Sequence, residues 1–237
     1  MKITDRPSAE RGGADHGWLK TRHSFSFADY YDPAWIGFGP LRVINEDLVA
    51  PGTGFGTHGH RDMEIISWPL AGRMRHQDSL GHGADLPPGT TQVMSAGSGI
   101  RHSELNPGPE TVHFLQVWIE PAVRGAAPRY ADQVIEPARR AGRFTTIAAP
   151  EGSPEVEAGE ALPIRQHARV LVGDFAAGQS AEHALAPGRR LWVHIATGSA
   201  EVAGRTLGPG DGLGVEDAAA VPVRALSTAQ VLLFDLP

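Results

Sequence analysis

Two pairs of side chains carry the chemistry most legible in this chain. His58 and His60 stand two positions apart in the run TGFGTHGHRDME, and His102 and Glu104 repeat that spacing in GIRHSEL. Successive side chains of a β-strand point to opposite faces, so residues two apart project together and can reach one ion. Glu64 keeps the same parity if the first strand runs on. Three neutral imidazoles and one carboxylate suit iron, nickel, copper, zinc or manganese, and at an octahedral ion they leave positions open for water, substrate or dioxygen. The sequence contains no cysteine, which excludes disulfides, iron–sulfur clusters, thiolate zinc sites and a cysteine nucleophile. Any metal must rest on histidine and carboxylate.

Of the remaining histidines of the first half, His23, His76, His82 and His113 are expected to be structural or at the surface, with His82 in a loop. Arg61 and Arg101 adjoin the pairs, but neighbouring strand residues face the opposite side, so exterior salt bridges are expected for both. Ser95 to Gly99, SAGSG, superficially resembles a phosphate loop. It lacks the following lysine and helix, and reads as a tight turn feeding His102. No Gly-x-Ser-x-Gly falls between a strand and a helix, so serine hydrolysis has no basis.

The elements that must position these groups are short strands. The 29 glycines and 19 prolines are spread along the whole chain and punctuate many brief elements. Between them lie runs rich in β-branched and aromatic residues, at 41–44, 64–68, 111–119, 191–195 and 231–234, each of strand length. The best helical candidates are 180–186 and 130–140, the second interrupted by Pro137. Residues 149–161 are turn-rich and read as a loop. Gly89 opens a strand ending near Ser95, and the Gly208–Asp211 turn opens another ending near Val215, so the halves repeat in kind. His167, His183 and His194 of the second half are far apart, which assigns any metal to the first.

At 237 residues the chain accommodates one large β-barrel or two small ones. A net charge of −6 and a pI near 6.0 give no long-range attraction to nucleic acid or an anionic bilayer. Residues 1–11 lack the apolar run of a secretory signal, and no stretch of about 18 apolar residues suggests a membrane span. A cytoplasmic protein is expected.

Gly52, His58, His60 and Glu64 together resemble the first cupin motif, although the downstream glycine falls one place late at Gly72. A branch of the cupins, the pirins, is matched more closely. DHGWL at 15–19, FSFADYYDP at 25–33, LRVIN at 41–45, SAGSGIRHSE at 95–104 and the terminal VLLFDLP all look like pirin signatures. The chain resembles most the bacterial pirin-like quercetin 2,3-dioxygenases. That resemblance implies an all-β bicupin of two jelly-roll-type barrels in tandem. The metal-binding domain would span 1–128, and a second cupin domain without metal ligands 129–237. It implies one divalent ion, Fe(II) first among Fe, Ni, Cu, Zn and Mn, on His58, His60, His102 and Glu104, with Glu64 in a structural role. The implied activity is opening of a flavonol such as quercetin with dioxygen, with Glu104 as the catalytic base. The alternative it offers is a metal-dependent regulator that binds a transcription factor or a metabolic enzyme. A structural ion that only staples the barrel is the third reading. Two barrels in one chain suit a monomer.

Overall fold

The computed structural model describes residues 1–237. Turn-forming glycines and prolines divide it into strands three to nine residues long. Helix is confined to single turns at Pro137–Arg140 and Pro154–Glu157, with a 3-10 turn at Ser8–Glu10. Neither expected helix forms as such. Ser180–Ala184 is a strand whose Ala181 packs on the apolar core. The 130–140 stretch splits into the strand Arg129–Val134 and the turn opened by Pro137, because proline starts a helix readily but cannot sit inside one. The 149–161 loop contains the Pro154–Glu157 turn.

The backbone forms two compact units, Gly12–Val134 with Leu162–Gln166, and Met1–Arg11 with Ile135–Ala161 and His167–Pro237. Each is a jelly-roll barrel of antiparallel strands, so the fold is all-β with two barrels. The units depart from the expected 1–128 and 129–237 division because of strand pairing. Lys2–Arg6 pairs with Gly212–Glu216 in the second barrel, whereas Arg129–Val134 pairs with Thr90–Ser95 in the first.

In the first barrel the larger sheet runs in the order Arg129–Val134, Thr90–Ser95, Glu64–Ala71, Val112–Ile119, Leu41–Val49, Leu19–His23, Gly12–Asp15. The smaller orders Gly54–His60, Ile100–Leu105, Met74–Asp78, Gly83–Leu86. Alternation puts Val112, Phe114, Gln116 and Trp118 on one face of their strand. Val112 and Phe114 join Leu19, Val49, Met74 and Leu86 in an apolar cluster. Trp118 packs on a second one made of Ile65, Met94, Ala96 and Ile100. Gln116 falls between them along the strand, and Asn45, Asp47, Ser67, Gln92, His102 and Glu104 are buried with it in this unit. A barrel that needed only stability would fill these places with aliphatic side chains, since burying polar groups costs free energy unless they are bonded. The second barrel does fill them so, with Leu191, Val193, Ile195, Leu213, Val221, Val223, Val231 and Leu233 in one cluster.

Candidate metal centre

The site is built on the antiparallel pair of strands Gly54–His60 and Ile100–Leu105. His58 stands opposite His102 and His60 opposite Ile100, which sets three imidazoles on one face of two adjacent strands. The next pair is Glu104 opposite Phe55: two steps on one strand answer three on the other, which is a β-bulge at Gly56 and Thr57. A regular strand would send Phe55 and His58 to opposite faces, and the inserted residue brings both inward. The bulge also turns the Gly56 carbonyl onto His58, whose Nδ1–H donates to it at 2.8 Å. Gly54 closes the device. It has φ +155°, and a Cβ there would overlap the Glu104 carbonyl oxygen.

The three Nε2 atoms converge, His60 to His102 at 2.9 Å and His102 to His58 at 3.1 Å. Ring nitrogens about 2.1 Å from one ion and at right angles about it stand about 3.0 Å apart, so both spacings are those of ligands that share one ion. Because His58 Nδ1 spends its proton on Gly56, the Nε2 lone pair is left for the ion. Burial, reinforced by the neighbouring His58, pushes His60 down to about 4 and His102 down to about 2. Both are therefore neutral at pH 7, the form that ligates. The donor set fits a divalent transition metal.

Glu104 occupies the next inward position beyond His102 and is 2% exposed. It stands outside the group of three residues whose ligating atoms all lie within 4.8 Å of one another. Gln116 Nε2–H donates to its Oε2 at 2.7 Å and Ser67 Oγ–H to its Oε1 at 3.3 Å. Burial raises its pKa to about 7 against the opposing hydrogen bond from Gln116. Sequence reasoning missed Gln116, although one amide in the apolar run VHFLQVWI, at the parity of Phe114 and Trp118, was a usable signal. Glu64 does not join the cage. The chain leaves the strand at His60 and turns through Asp62 at φ +49°, so parity is lost and the Glu64 carboxylate accepts instead from Ser95 Oγ at 2.6 Å.

The other histidines have separate attachments. His23 Nδ1 lies 2.7 Å from Asn45 Oδ1, and His113 Nε2 2.9 Å from Glu46 Oε1. His76, buried beside His102, stacks on Tyr130 with ring centroids 4.4 Å apart, while its Nε2 lies 3.2 Å from Asp78. His82 is in the following turn, 3.2 Å from the same carboxylate. Trp118 stands edge-on to His60 at 4.8 Å, and Phe27 edge-on to Trp118 at 5.4 Å, giving the cage an aromatic flank. Ser95 to Gly99 is the expected turn, with Gly97 at φ +47°. Arg61 and Arg101 form no exterior salt bridge. Together with Gly59, His60, Ser79, Gly99 and Ile100 they line an open surface cavity of about 500 Å³.

Comparison with known proteins agrees along the whole chain. The family model described as Pirin matches residues 5–119, and that described as Quercetinase C-terminal cupin domain matches residues 147–236. A Pirin-like protein of Caulobacter vibrioides is 45% identical, the alignment covering 98% of this chain and 99% of that protein. A protein of Escherichia coli named Quercetin 2,3-dioxygenase is 41% identical, with 98% and 97% covered. The crystal structure of YhhW from E. coli superposes with a TM-score of 0.93 at 40% identity, covering 100% of this chain and 98% of that one. The structure of YhhW in complex with nickel(II) gives 0.92 at 40% identity, covering 100% and 99%. With two jelly-roll barrels, a three-histidine cage in the first and these relatives, the chain belongs to the pirin family of cupins.

Proposed function

We propose that this protein is a metal-dependent dioxygenase that opens flavonols such as quercetin, with the ion held by His58, His60, His102 and Glu104. The observation that carries the reading is the convergence of three imidazole nitrogens at 2.9 and 3.1 Å, with the carboxyl group of Glu104 buried at the next inward strand position. A bound divalent ion, Fe(II) in this reading with nickel, copper, zinc and manganese as alternatives, supplies Lewis acidity toward a phenolic oxygen and a redox partner for dioxygen. The protein's part is orientation and proton transfer. Glu104, buried in the barrel interior, accepts the proton of the flavonol 3-hydroxyl, which the ion's Lewis acidity would make easier to release. The edge-on pair Phe27 and Trp118 offers an apolar wall for a planar aromatic ring. The E. coli relatives carrying the dioxygenase name and the nickel complex support the same reading.

The test is oxygen uptake with quercetin by iron-loaded wild type, apo-protein and Glu104→Ala protein of verified metal content. Uptake and carbon monoxide release that require both the ion and Glu104 are expected. Uptake by metal-replete wild type no faster than with free iron would remove the flavonol reading and favour a metal-dependent regulator.

A further inference from the structure

Gln116 and Trp118 touch no expected ligand nitrogen by hydrogen bond, yet they control the aim of the fourth expected ligand. An indole N–H can only donate, and Trp118 Nε1–H donates to Gln116 Oε1 at 3.1 Å. That contact fixes which end of the Gln116 amide is which, so Nε2–H must face Glu104 Oε2, 2.7 Å away. On the other side Gln92 Nε2–H donates to Ser67 Oγ at 3.3 Å, which leaves the single Ser67 proton for Glu104 Oε1 at 3.3 Å. Two relays therefore end on the two oxygens of one carboxylate, each relay oriented by a donor behind it. They differ in grip: the amide holds Oε2 at 2.7 Å, the hydroxyl holds Oε1 at 3.3 Å. The carboxylate thus pivots on the oxygen bound to Gln116 and has the other to give.

We propose that Gln116, oriented by the Trp118 indole, is a positioning residue that anchors Glu104 by Oε2 and presents Oε1 to the three-imidazole cage. The inference rests on Glu104 acting as the fourth ligand, and it assigns a metal-tuning role to two residues outside the ligand set. Outer partners that orient a ligating side chain contribute about 10- to 100-fold to metal affinity. Trp118 has a second part in the device, because its ring stands against His60 while its N–H serves Gln116. Trp118→Phe separates these, keeping a ring and removing the donor.

The experiment uses cobalt(II) as probe in the full-length protein, reading affinity by chelator competition and geometry by the visible absorption band. Gln116→Leu is expected to weaken binding about 10- to 100-fold and to shift the band, and Trp118→Phe to weaken it about 3- to 10-fold. In a Glu104→Ala background the same Gln116→Leu change should alter affinity less than about 2-fold, because the residue it orients is gone. An equal effect in both backgrounds, or wild-type affinity and band in both Gln116→Leu and Trp118→Phe, would overturn the inference. If Gln116→Leu fails to fold, Trp118→Phe measured in the two backgrounds tests the same coupling. Coupling without quercetin turnover would sink the dioxygenase reading and leave the positioning role standing. A Glu104→Ala protein with wild-type affinity and band would overturn the positioning role, whatever the activity.

Discussion

Each of the two barrels of this chain pairs two antiparallel strands, Gly54–His60 with Ile100–Leu105 in the first and Ser180–Ala184 with Ala220–Ala225 in the second, and the two pairs differ in what fills them. In the first, His60 faces Ile100 and His58 faces His102. In the second, His183 faces Val221 and Ala181 faces Val223. Matched by these pairs, His183 stands at the place of His60, Ala181 at that of His58 and Val223 at that of His102. The His183 imidazole is engaged elsewhere: its Nε2 lies 3.0 Å from Asp235, which in turn accepts from Arg189. The strands behind diverge likewise, with the buried amide Gln116 on Val112–Ile119 and the aliphatic Leu233 on Ala229–Leu236. The candidate metal site of the first barrel is thus backed by a second layer of buried polar groups. A barrel without that layer becomes a conventional hydrophobic core.

The sharpest way to break the comparison is to remove the histidine whose nitrogen contacts both others. His102→Ala should weaken divalent-metal binding by more than about 100-fold and abolish the metal-dependent rise in melting temperature, since a ligand stabilises only as RT ln(1 + [L]/Kd). Titration calorimetry and melts with and without nickel(II) would check this, and undiminished binding would remove the cage from the reading. The converse change places the first barrel's polarity in the second. Leu233→Gln buries an amide within the cluster of Leu191, Val193, Val215 and Val223. It should cost about 3 kcal/mol, read from the urea midpoint. A cost below about 1 kcal/mol would mean that the second core tolerates polar groups as the first does.

How much of this is legible in the sequence follows from what alternation encodes. The spacing of His58, His60 and His102 identified the cage because all three lie on strands, where parity decides facing. Glu64 failed the same rule through the turn at Asp62, a break that hydrophobic patterning does not mark. The bulge that turns both Phe55 and His58 inward was equally hidden, since a bulge is visible only against its partner strand. The 180–186 segment read as helical because SAEHALA offers good helix formers, and pairing with Ala220–Ala225 overrode that preference. Strand exchange placed Lys2–Arg6 in the second barrel, a long-range choice that local sequence does not record. The Gln116 relay was legible in part: a lone amide at an inward position was there to be read, while its partners Trp118 and Glu104 depended on the fold.

The smallest effect concerns Asp47, a second carboxyl buried in the first barrel. Burial raises its pKa to about 7, opposed by a hydrogen bond with Thr21, so the native state holds a proton that the unfolded chain has released from about pH 4 upward. Between about pH 4 and 7 the folded protein then binds more protons than the unfolded one, and this group's contribution to stability falls as pH rises. A shift of about three units corresponds to at most about 4 kcal/mol. Relaxation around the ionised group brings the expected value nearer to about 2 kcal/mol. Asp47→Asn keeps the shape and removes the titration. In apo-protein under chelator, its urea midpoint should match wild type at about pH 4.5 and exceed it at about pH 8 by an amount equivalent to about 2 kcal/mol. Buried neutral His60 and His102 act in the opposite sense, destabilising as pH falls below about 6.5. They are present in both proteins and cancel in the difference, which reads Asp47 together with the part of the Glu104 shift that Asp47 causes. A gap that stays constant across that pH range would mean that Asp47 is already ionised in the fold and that the polar interior of this barrel is wetter than its burial implies.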